Sequence, residues 1–361
     1  MEVAASGWED EYRIALLAVQ RAVILTKTVL SNVDKGALTK EDNSPVTIAD
    51  FGAQAPQALL IDAVHRNFHD DGFVGEESAD ALRKDAQLCE RVWELVRTTC
   101  LDDDEGNLIL GNLETKKEML DAIDRGSRSD GRSKGRVWVL DPIDGTQAFV
   151  NGGQYAVALA MVEDGVQRVG VLGCPNLGLD QVDRGEVGDS TYQKDGTCVM
   201  LSAVRGHGSY IRPLSQGKLL PARKIEQPAR TGPVLKFVDS SKSRTTDLQR
   251  HRRVAANLGS TWPGSEVLSL QMRYVAITTG NCDAMIRIPR DETYREPVWD
   301  HAGGALILEE AGGRVTDLNG QQVDFGQGRR LQNNHGLVAA LKDAHTTVLA
   351  AVQGNSQQGG E

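Results

Sequence analysis

Arg136-Val137-Trp138-Val139-Leu140-Asp141-Pro142-Ile143-Asp144-Gly145-Thr146 is the stretch from which the rest of the sequence is read. Val137 to Leu140 is a continuous apolar run with β-branched residues, the pattern of a strand buried on both faces. It ends in two carboxylates separated by a proline and an isoleucine. Pro142 fixes its own φ and holds Asp141 extended. Gly145 permits close approach of backbone to a ligand, and Thr146 can open a helix. The product is a rigid loop at a strand end, carrying two carboxylates and a row of N–H groups. Carboxylates suit hard cations such as Mg²⁺, and free N–H groups at a helix start suit phosphate. Asp-Pro and Asp-Gly pairs are also ordinary turn chemistry. The buried strand before them, and further carboxylates elsewhere, favour the metal and phosphate reading.

The 361 residues are 40% hydrophobic and 25% charged, a soluble globular composition with length for one large or two medium domains. A net charge of -10 and a pI near 5.3 argue against nucleic-acid and anionic-membrane partners, while leaving room for a local basic pocket. Cys89, Cys100, Cys174, Cys198 and Cys282 form no Cys-x-x-Cys and are expected to be buried reduced thiols. No run approaches the roughly 18 apolar residues of a membrane span. The N-terminus lacks the regions of a signal peptide, so cytoplasmic residence is expected.

Apolar spacing predicts a helix from Glu9 to about Leu30 and a second from about Ala49 to Asn67, kinked or broken early by Pro56. Between them lies the polar turn Lys40-Glu41-Asp42-Asn43-Ser44. Asp50 opens the second helix, as a dipole partner or a catalytic group. A short strand, Phe73-Val74, leads to Gly75-Glu76-Glu77-Ser78, which repeats the strand, glycine and carboxylate plan. A helix is expected over about Ala81 to Cys100, a solvated acidic loop at Asp102 to Glu105, and a helix near Leu113 to Ile123. Arg125, Arg128, Arg132, Lys134 and Arg136 make a basic, glycine-rich stretch, read as a flexible flap near the metal loop or a solubilising surface loop, with Arg125 and Arg128 favoured as surface. Tyr155 to Val162 and Val166 to Cys174 form a hairpin about Asp164-Gly165, and Val199 to Val204 and Ser209 to Ile211 continue the antiparallel pattern. A polar loop lies between, at about Asp180 to Asp195. Pro228 to Pro233 marks a boundary, giving domains 1–228 and 229–361. Beyond it, a strand at Val234 to Val238, helices at Thr246 to Leu258 and Leu268 to Thr279, and a strand at Met285 to Ile288 are expected. Trp299-Asp300-His301-Ala302-Gly303-Gly304 begins a close-packing helix that ends at a glycine cap, with His301 read as a packed, hydrogen-bonded histidine. The tail after Gly354 reads as disordered.

Gly75-Glu76-Glu77, Asp141-Pro142-Ile143-Asp144-Gly145-Thr146 and Trp299-Asp300-His301-Ala302-Gly303-Gly304, in that order, resemble the lithium-sensitive, magnesium-dependent phosphatases related to inositol monophosphatase. Across nearly the whole chain the likeness is strongest to fungal-type 3′(2′),5′-bisphosphate nucleotidases, from Ser44-Pro45-Val46-Thr47 to Asp324-Phe325-Gly326-Gln327-Gly328-Arg329. The resemblance implies an α/β (α+β) fold, a layered α/β/α/β/α sandwich, acting as a monomer on a small phosphorylated nucleotide. It implies two to three Mg²⁺ ions. Glu76, Asp141 and the Ile143 carbonyl would hold one, Asp141, Asp144 and Asp300 a second. Asp50 and Thr146 would be catalytic, orienting the attacking water. Gly145 and Thr146 N–H groups would bind phosphate, and Lys242, Ser269, Arg273 and Arg287 would contact the nucleotide. The implied reaction removes the 3′-phosphate of adenosine 3′,5′-bisphosphate, with 3′-phosphoadenylyl sulfate as a second substrate, linked to sulfur assimilation. Gln147, Asn151 and Leu270 depart from the family pattern and bear on substrate preference. The rival readings are an inositol phosphate phosphatase and a non-catalytic nucleotide sensor.

Overall fold

Among the described residues the strands pair into two main sheets, each with helices on both faces, and a two-stranded pair beside the smaller one. The computed structural model describes residues 6–34, 45–131, 134–190, 198–226, 229–230 and 232–355, with side chains undescribed at 32–34 and 45–51. The turn at Lys40 to Ser44, Arg132, the loop at 191–197, Pro228 and the tail from 356 lie outside the described residues, as does the Asp50 side chain.

The chain begins with α1 (Glu9–Asp34), α2 (Pro45–Asn67), β1 (Gly72–Gly75), α3 (Asp80–Lys84), α4 (Ala86–Thr98), α5 (Asp104–Leu110) and α6 (Lys116–Ser127). Then come β2 (Arg136–Asp144), α7 (Thr146–Val150), β3 (Ala156–Glu163), β4 (Val166–Gly178), α8 (Leu179–Arg184), β5 (Cys198–Val204), β6 (Gly208–Pro213) and β7 (Arg223–Lys224). The rest is β8 (Val238–Asp239), α9 (Leu248–Asn257), β9 (Ser265–Glu266), α10 (Leu270–Thr278), β10 (Ala284–Arg287), α11 (Ala302–Glu310), β11 (Gly313–Thr316), β12 (Leu337–Leu341) and α12 (Lys342–Gly354).

Strands β1 to β7 form one sheet in chain order, parallel between β1 and β2 and antiparallel elsewhere. Helices α1 and α2 cover one face; α11 packs on the other, against β4, with α10 beside it. Beyond that helix layer lies the sheet β10-β12-β11, joined to β8 by a Phe237–Ala284 bridge, and α12 and α9 close the stack. The expected α/β/α/β/α sandwich is the observed fold. Strand β2 is buried on both faces. Trp138 and Leu140 join the core under α1 and α2, while Val137 and Val139 join the core shared with α10 and α11.

Several local expectations need correction. Helix α2 runs unbroken through Pro56, held by packing against α1, α4 and α6 that outweighs one lost hydrogen bond. The helix expected over 81–100 breaks at Asp85, whose carboxylate accepts from the N–H groups of Gln87 and Leu88 at 3.0 and 2.9 Å. The acidic run is not all loop: Asp104 and Glu105 form the first turn of α5, where they complement its dipole. The strand at 234–238 shrinks to β8. Cys100 is exposed, against the expected burial of all five cysteines. Segment Glu9–Ser31 of α1 is, by length and composition, apolar enough to cross a membrane, contrary to the reading above. Here 72% of its most apolar window is buried, and it packs on α2 and β4 as a core helix.

Two glycines let α11 sit between the sheets. A Cβ on Gly303 would lie 3.3 Å from Leu172, and one on Gly304 would lie 2.5 Å from Gln271 Oε1 and 2.6 Å from the Tyr274 ring. Gly304→Ala should therefore destabilise the protein by about 1–3 kcal/mol, the range for overpacking. A denaturant midpoint equal to that of the wild type would contradict this packing.

Candidate active site

Two carboxylates three residues apart on a regular strand point to opposite faces. Here the register changes within the Asp-Pro-Ile-Asp segment, with Asp141 opposite Ala158 and Asp144 opposite Ala156. Three steps on β2 thus match two on β3, a bulge of one residue that places both carboxylates on the α10 and α11 face. The Asp141 carboxylate accepts from Ile143 N–H at 3.0 Å, fixing the turn. Gly145 adopts φ 91, and a Cβ there would sit 2.7 Å from that of Ser269, so glycine is required twice over. Thr146 opens α7 with its side chain exposed, its hydroxyl 3.4 Å from the Ile143 carbonyl.

The start of α10 takes hold of Asp144. Its Oδ2 accepts from the Ser269 hydroxyl and from Gln271 N–H, the latter at 2.7 Å. Ser269 also caps α10, accepting from Met272 N–H at 3.1 Å. Asp300 arrives from the turn before α11, and Asp141, Asp144 and Asp300 each offer an oxygen within 4.8 Å of the others. Behind Asp300, His301 is fully buried, with Nδ1 2.9 Å from the Tyr274 hydroxyl, as a packed histidine. Glu296, Asp300 and His301 form a second such group.

Parallel pairing of β1 with β2 sets Gly75 beside Leu140, so Glu76 follows β1 where Asp141 ends the apolar run of β2. Glu76 is exposed at the rim and shares a hydrogen bond with Asp141. Its loop is held from α2 by Gln57, which accepts from Glu77 N–H at 3.0 Å and donates to Glu77 O at 2.7 Å. Nearer its start, α2 approaches the metal loop at Gly52, where a Cβ would meet Phe149 at 2.5 Å and Ile143 at 2.9 Å.

Burial, then the charges of Glu76, Asp144 and Asp300, hold the Asp141 carboxyl well above the usual range. Asp300 is raised in the same way, by burial and then by Asp144 and Glu76. Burial raises Asp144 less freely, because Ser269 and Gln271 stabilise its charge. Although Glu76 as a whole lies exposed at the rim, its carboxyl is turned toward Asp141 and loses enough solvent to be raised, against its bond to Asp141. Crowded oxygen donors that repel one another fit a small hard divalent cation, which would relieve that repulsion.

The expected nucleotide contacts are placed differently from the sequence reading. Ser269 is fully buried and engaged with Asp144. Arg273 is buried, donating to the carbonyls of Val267 and Leu268 at 2.8 and 3.2 Å. Arg287 is buried too, paired with Glu296 at 3.0 Å and bonded to Thr246 and Thr245 at 2.7 and 3.0 Å. These guanidiniums serve the interior because each is surrounded by acceptors of its own neighbourhood. Lys242 is exposed, on the loop whose Ser243, Thr245 and Thr246 hold Arg287. Gln147 and Asn151 are exposed on and just after α7, and Leu270 is largely buried. Sequence reading missed Gln57, Glu296 and Gln271. A buried polar residue inside a helix or loop was the only signal they carried.

The sequence profile of the inositol monophosphatase family matches residues 8–357, and the chain belongs to that family of phosphatases. It is 44% identical over 351 residues to a 3′(2′),5′-bisphosphate nucleotidase of Emericella nidulans, covering 96% of this chain and 98% of the relative. It is 40% identical to the protein of the same description from Schizosaccharomyces pombe, covering 96% and 95%. The crystal structure of inositol monophosphatase-II from Staphylococcus aureus shares the fold, with a TM-score of 0.59 at 17% identity over 96% of this chain and 97% of that one.

Carboxyls whose pKa is raised by folding contribute stability below their unfolded pKa, lost as pH rises through the folded one. Cation binding must displace those protons or relieve that repulsion. A saturating divalent cation should therefore raise the melting temperature more at about pH 8 than at about pH 5, relative to chelator at the same pH. An equal rise at both would contradict the shared proton load.

Proposed function

We propose that the chain is a Mg²⁺-dependent 3′(2′),5′-bisphosphate nucleotidase that converts adenosine 3′,5′-bisphosphate to AMP and phosphate, with 3′-phosphoadenylyl sulfate as a second substrate. The supporting observation is the convergence of Asp141, Asp144 and Asp300 within 4.8 Å, in a chain that is 44% identical to a nucleotidase over nearly its full length. That substrate pair ties the activity to sulfur assimilation, in a cytoplasmic monomer.

Glu76, Asp141 and the Ile143 carbonyl would hold one Mg²⁺, and Asp141, Asp144 and Asp300 a second; a third would approach Glu76. When bound, the ions neutralise the phosphoryl oxygens and leaving alkoxide and lower the pKa of water. The exposed Thr146 hydroxyl, oriented by Asp50, positions the attacking water and helps deprotonate it, the water's proton passing to the Thr146 oxygen as the hydroxyl proton passes to Asp50. Gly145 and Thr146 N–H groups receive the phosphate. Lys242 meets the 5′-phosphate, while Arg287 shapes the Lys242 loop from below and Ser269 and Arg273 fix the start of α10 beneath the substrate.

The decisive experiment measures phosphate release from adenosine 3′,5′-bisphosphate, inositol 1-phosphate and AMP at equal concentration, with Mg²⁺, with chelator and with added Li⁺. Adenosine bisphosphate should be fastest, chelator should abolish turnover, and Li⁺ should inhibit by competing at the Asp144 and Asp300 side. Faster release from inositol 1-phosphate would overturn the substrate assignment and leave the phosphatase chemistry standing.

Two substitutions separate the roles. Asp50→Asn should lower kcat by roughly 10²-fold or more while leaving the melting temperature near that of the wild type. Retained turnover would reduce Asp50 to a dipole partner. Lys242→Ala should raise KM for the bisphosphate roughly tenfold, the loss of one charge-assisted hydrogen bond, without lowering stability. An unchanged KM would remove Lys242 from the site.

A further inference from the structure

Arg329 belongs to the segment Asp324-Phe325-Gly326-Gln327-Gly328-Arg329, to which the chemistry above gives no part. Its main chain is zipped to the approach of Asp300. The Arg329 carbonyl accepts from Val298 N–H at 3.1 Å, Leu331 N–H donates to Glu296 O at 3.0 Å, and Pro297 bridges Arg330 in antiparallel fashion. Its side chain crosses to the other half of the molecule. Nη2 donates to Gly75 O at 2.8 Å, the residue before Glu76, and Nη1 donates to Gly126 O at 2.9 Å, near the end of α6. Over the same guanidinium lies the ring of Trp299, the residue before Asp300, with its centroid 4.8 Å from the guanidinium carbon.

The surrounding backbone leaves this loop little freedom. Gly328 adopts φ 89, and a Cβ there would lie 2.2 Å from the Asp130 carbonyl. The loop is thus pressed against the segment that follows α6. Asp141, Asp144 and Asp300 are gathered by the bulge and the turn before α11, but Glu76 belongs to neither of the three-residue groups of close ligand atoms among the described residues. It directly follows β1, an edge strand, and Asp300 comes from the C-terminal part of the chain. One planar cation touches the residue preceding each of them.

We infer that Arg329 is a positioning residue that sets Glu76 relative to Asp300, so that the cation held by Glu76 and the cation held by Asp300 can both share Asp141. The inference rests on the metal reading proposed above. Arginine suits the task because its flat fork donates in two directions while its face stacks on an indole. A lysine keeps the charge but cannot make both contacts and the stack. Groups that orient metal ligands without touching the metal commonly change its affinity by about 10–100-fold when removed.

The test is calorimetric titration of the full chain with Mn²⁺ alone, for wild type, Arg329→Met and Arg329→Lys, with melting curves in chelator alongside. Both variants should bind Mn²⁺ about tenfold or more weakly, beyond any change in melting temperature. Wild-type affinity in Arg329→Met, or full recovery in Arg329→Lys, overturns the inference; the second result would assign the effect to charge instead of geometry. Should Arg329→Met fail to fold, Trp299→Leu removes the stacked face and leaves both carbonyl bonds. It should weaken Mn²⁺ binding severalfold, and unchanged affinity there likewise overturns the proposal. Wild-type protein that binds no Mn²⁺ would sink the metal reading and this inference together, whereas equal binding by wild type and variants would sink this inference alone.

Discussion

Like charges do not gather unless something holds them, and this fold is arranged around holding three carboxylates within 4.8 Å of one another. Burial and then the neighbouring carboxylates raise the Asp141 and Asp300 carboxyl groups, while Asp144 is raised by burial. The repulsion is contained by backbone. A one-residue bulge at Pro142 and Ile143 turns two carboxylates onto one face, and proline suits that place because it brings no N–H to the ladder. Asp144 receives local compensation from the capping serine and first turn of α10. The strain of assembly is thus spread over a sheet and two helix starts.

The middle helix layer makes this possible. Helices α10 and α11 must touch the first sheet to deliver Ser269 and Asp300, and the second sheet to be buried at all. Gly303 lets α11 lie close on β4 of the first sheet, and Gly304 lets it lie close on α10, directly after Asp300 and His301. Gln271 links these two helices, accepting from Gly304 N–H at 2.9 Å and donating to Trp299 O at 2.8 Å. A packing residue and the placement of a carboxylate are here the same event.

How much of this was legible in the sequence depended on range. The buried strand, the turn at its end and the hairpin at Asp164-Gly165 were readable because apolar runs and turn chemistry act within a few residues, whereas the layered fold came from the resemblance of three motifs to a known family. The bulge was not readable, since it appears only when β2 is set against β3. Pro56 misled because local propensity was opposed by three packed neighbours of α2. Arg273 and Arg287 read as substrate cations because a sequence shows charge and not what surrounds it. The neutralising acceptors, Glu296 and the carbonyls of Val267 and Leu268, are set by tertiary contact.

The inward turn of Arg287 has a consequence for Asp300. A buried ion pair is weak support for stability, since desolvation offsets much of its attraction, so its position matters more than its energy. Burial by itself would raise the Glu296 carboxyl, yet Arg287 and His301 hold it down to about 2, and it stays ionised. Burial lowers the His301 pKa, which favours the neutral ring. Its Nε2 lies 3.6 Å from Glu296, too long for a good hydrogen bond but favourable for an N–H pointing at a carboxylate. That tautomer leaves Nδ1 as the acceptor, so the Tyr274 hydroxyl donates. The residue next to Asp300 is therefore held at Nδ1 by a hydrogen bond from α10, while Nε2, which makes no hydrogen bond within the described residues, only faces the Glu296 carboxylate. Asp300 faces a neutral imidazole and a self-balanced ion pair, which leaves the charge of its own carboxylate available to a cation.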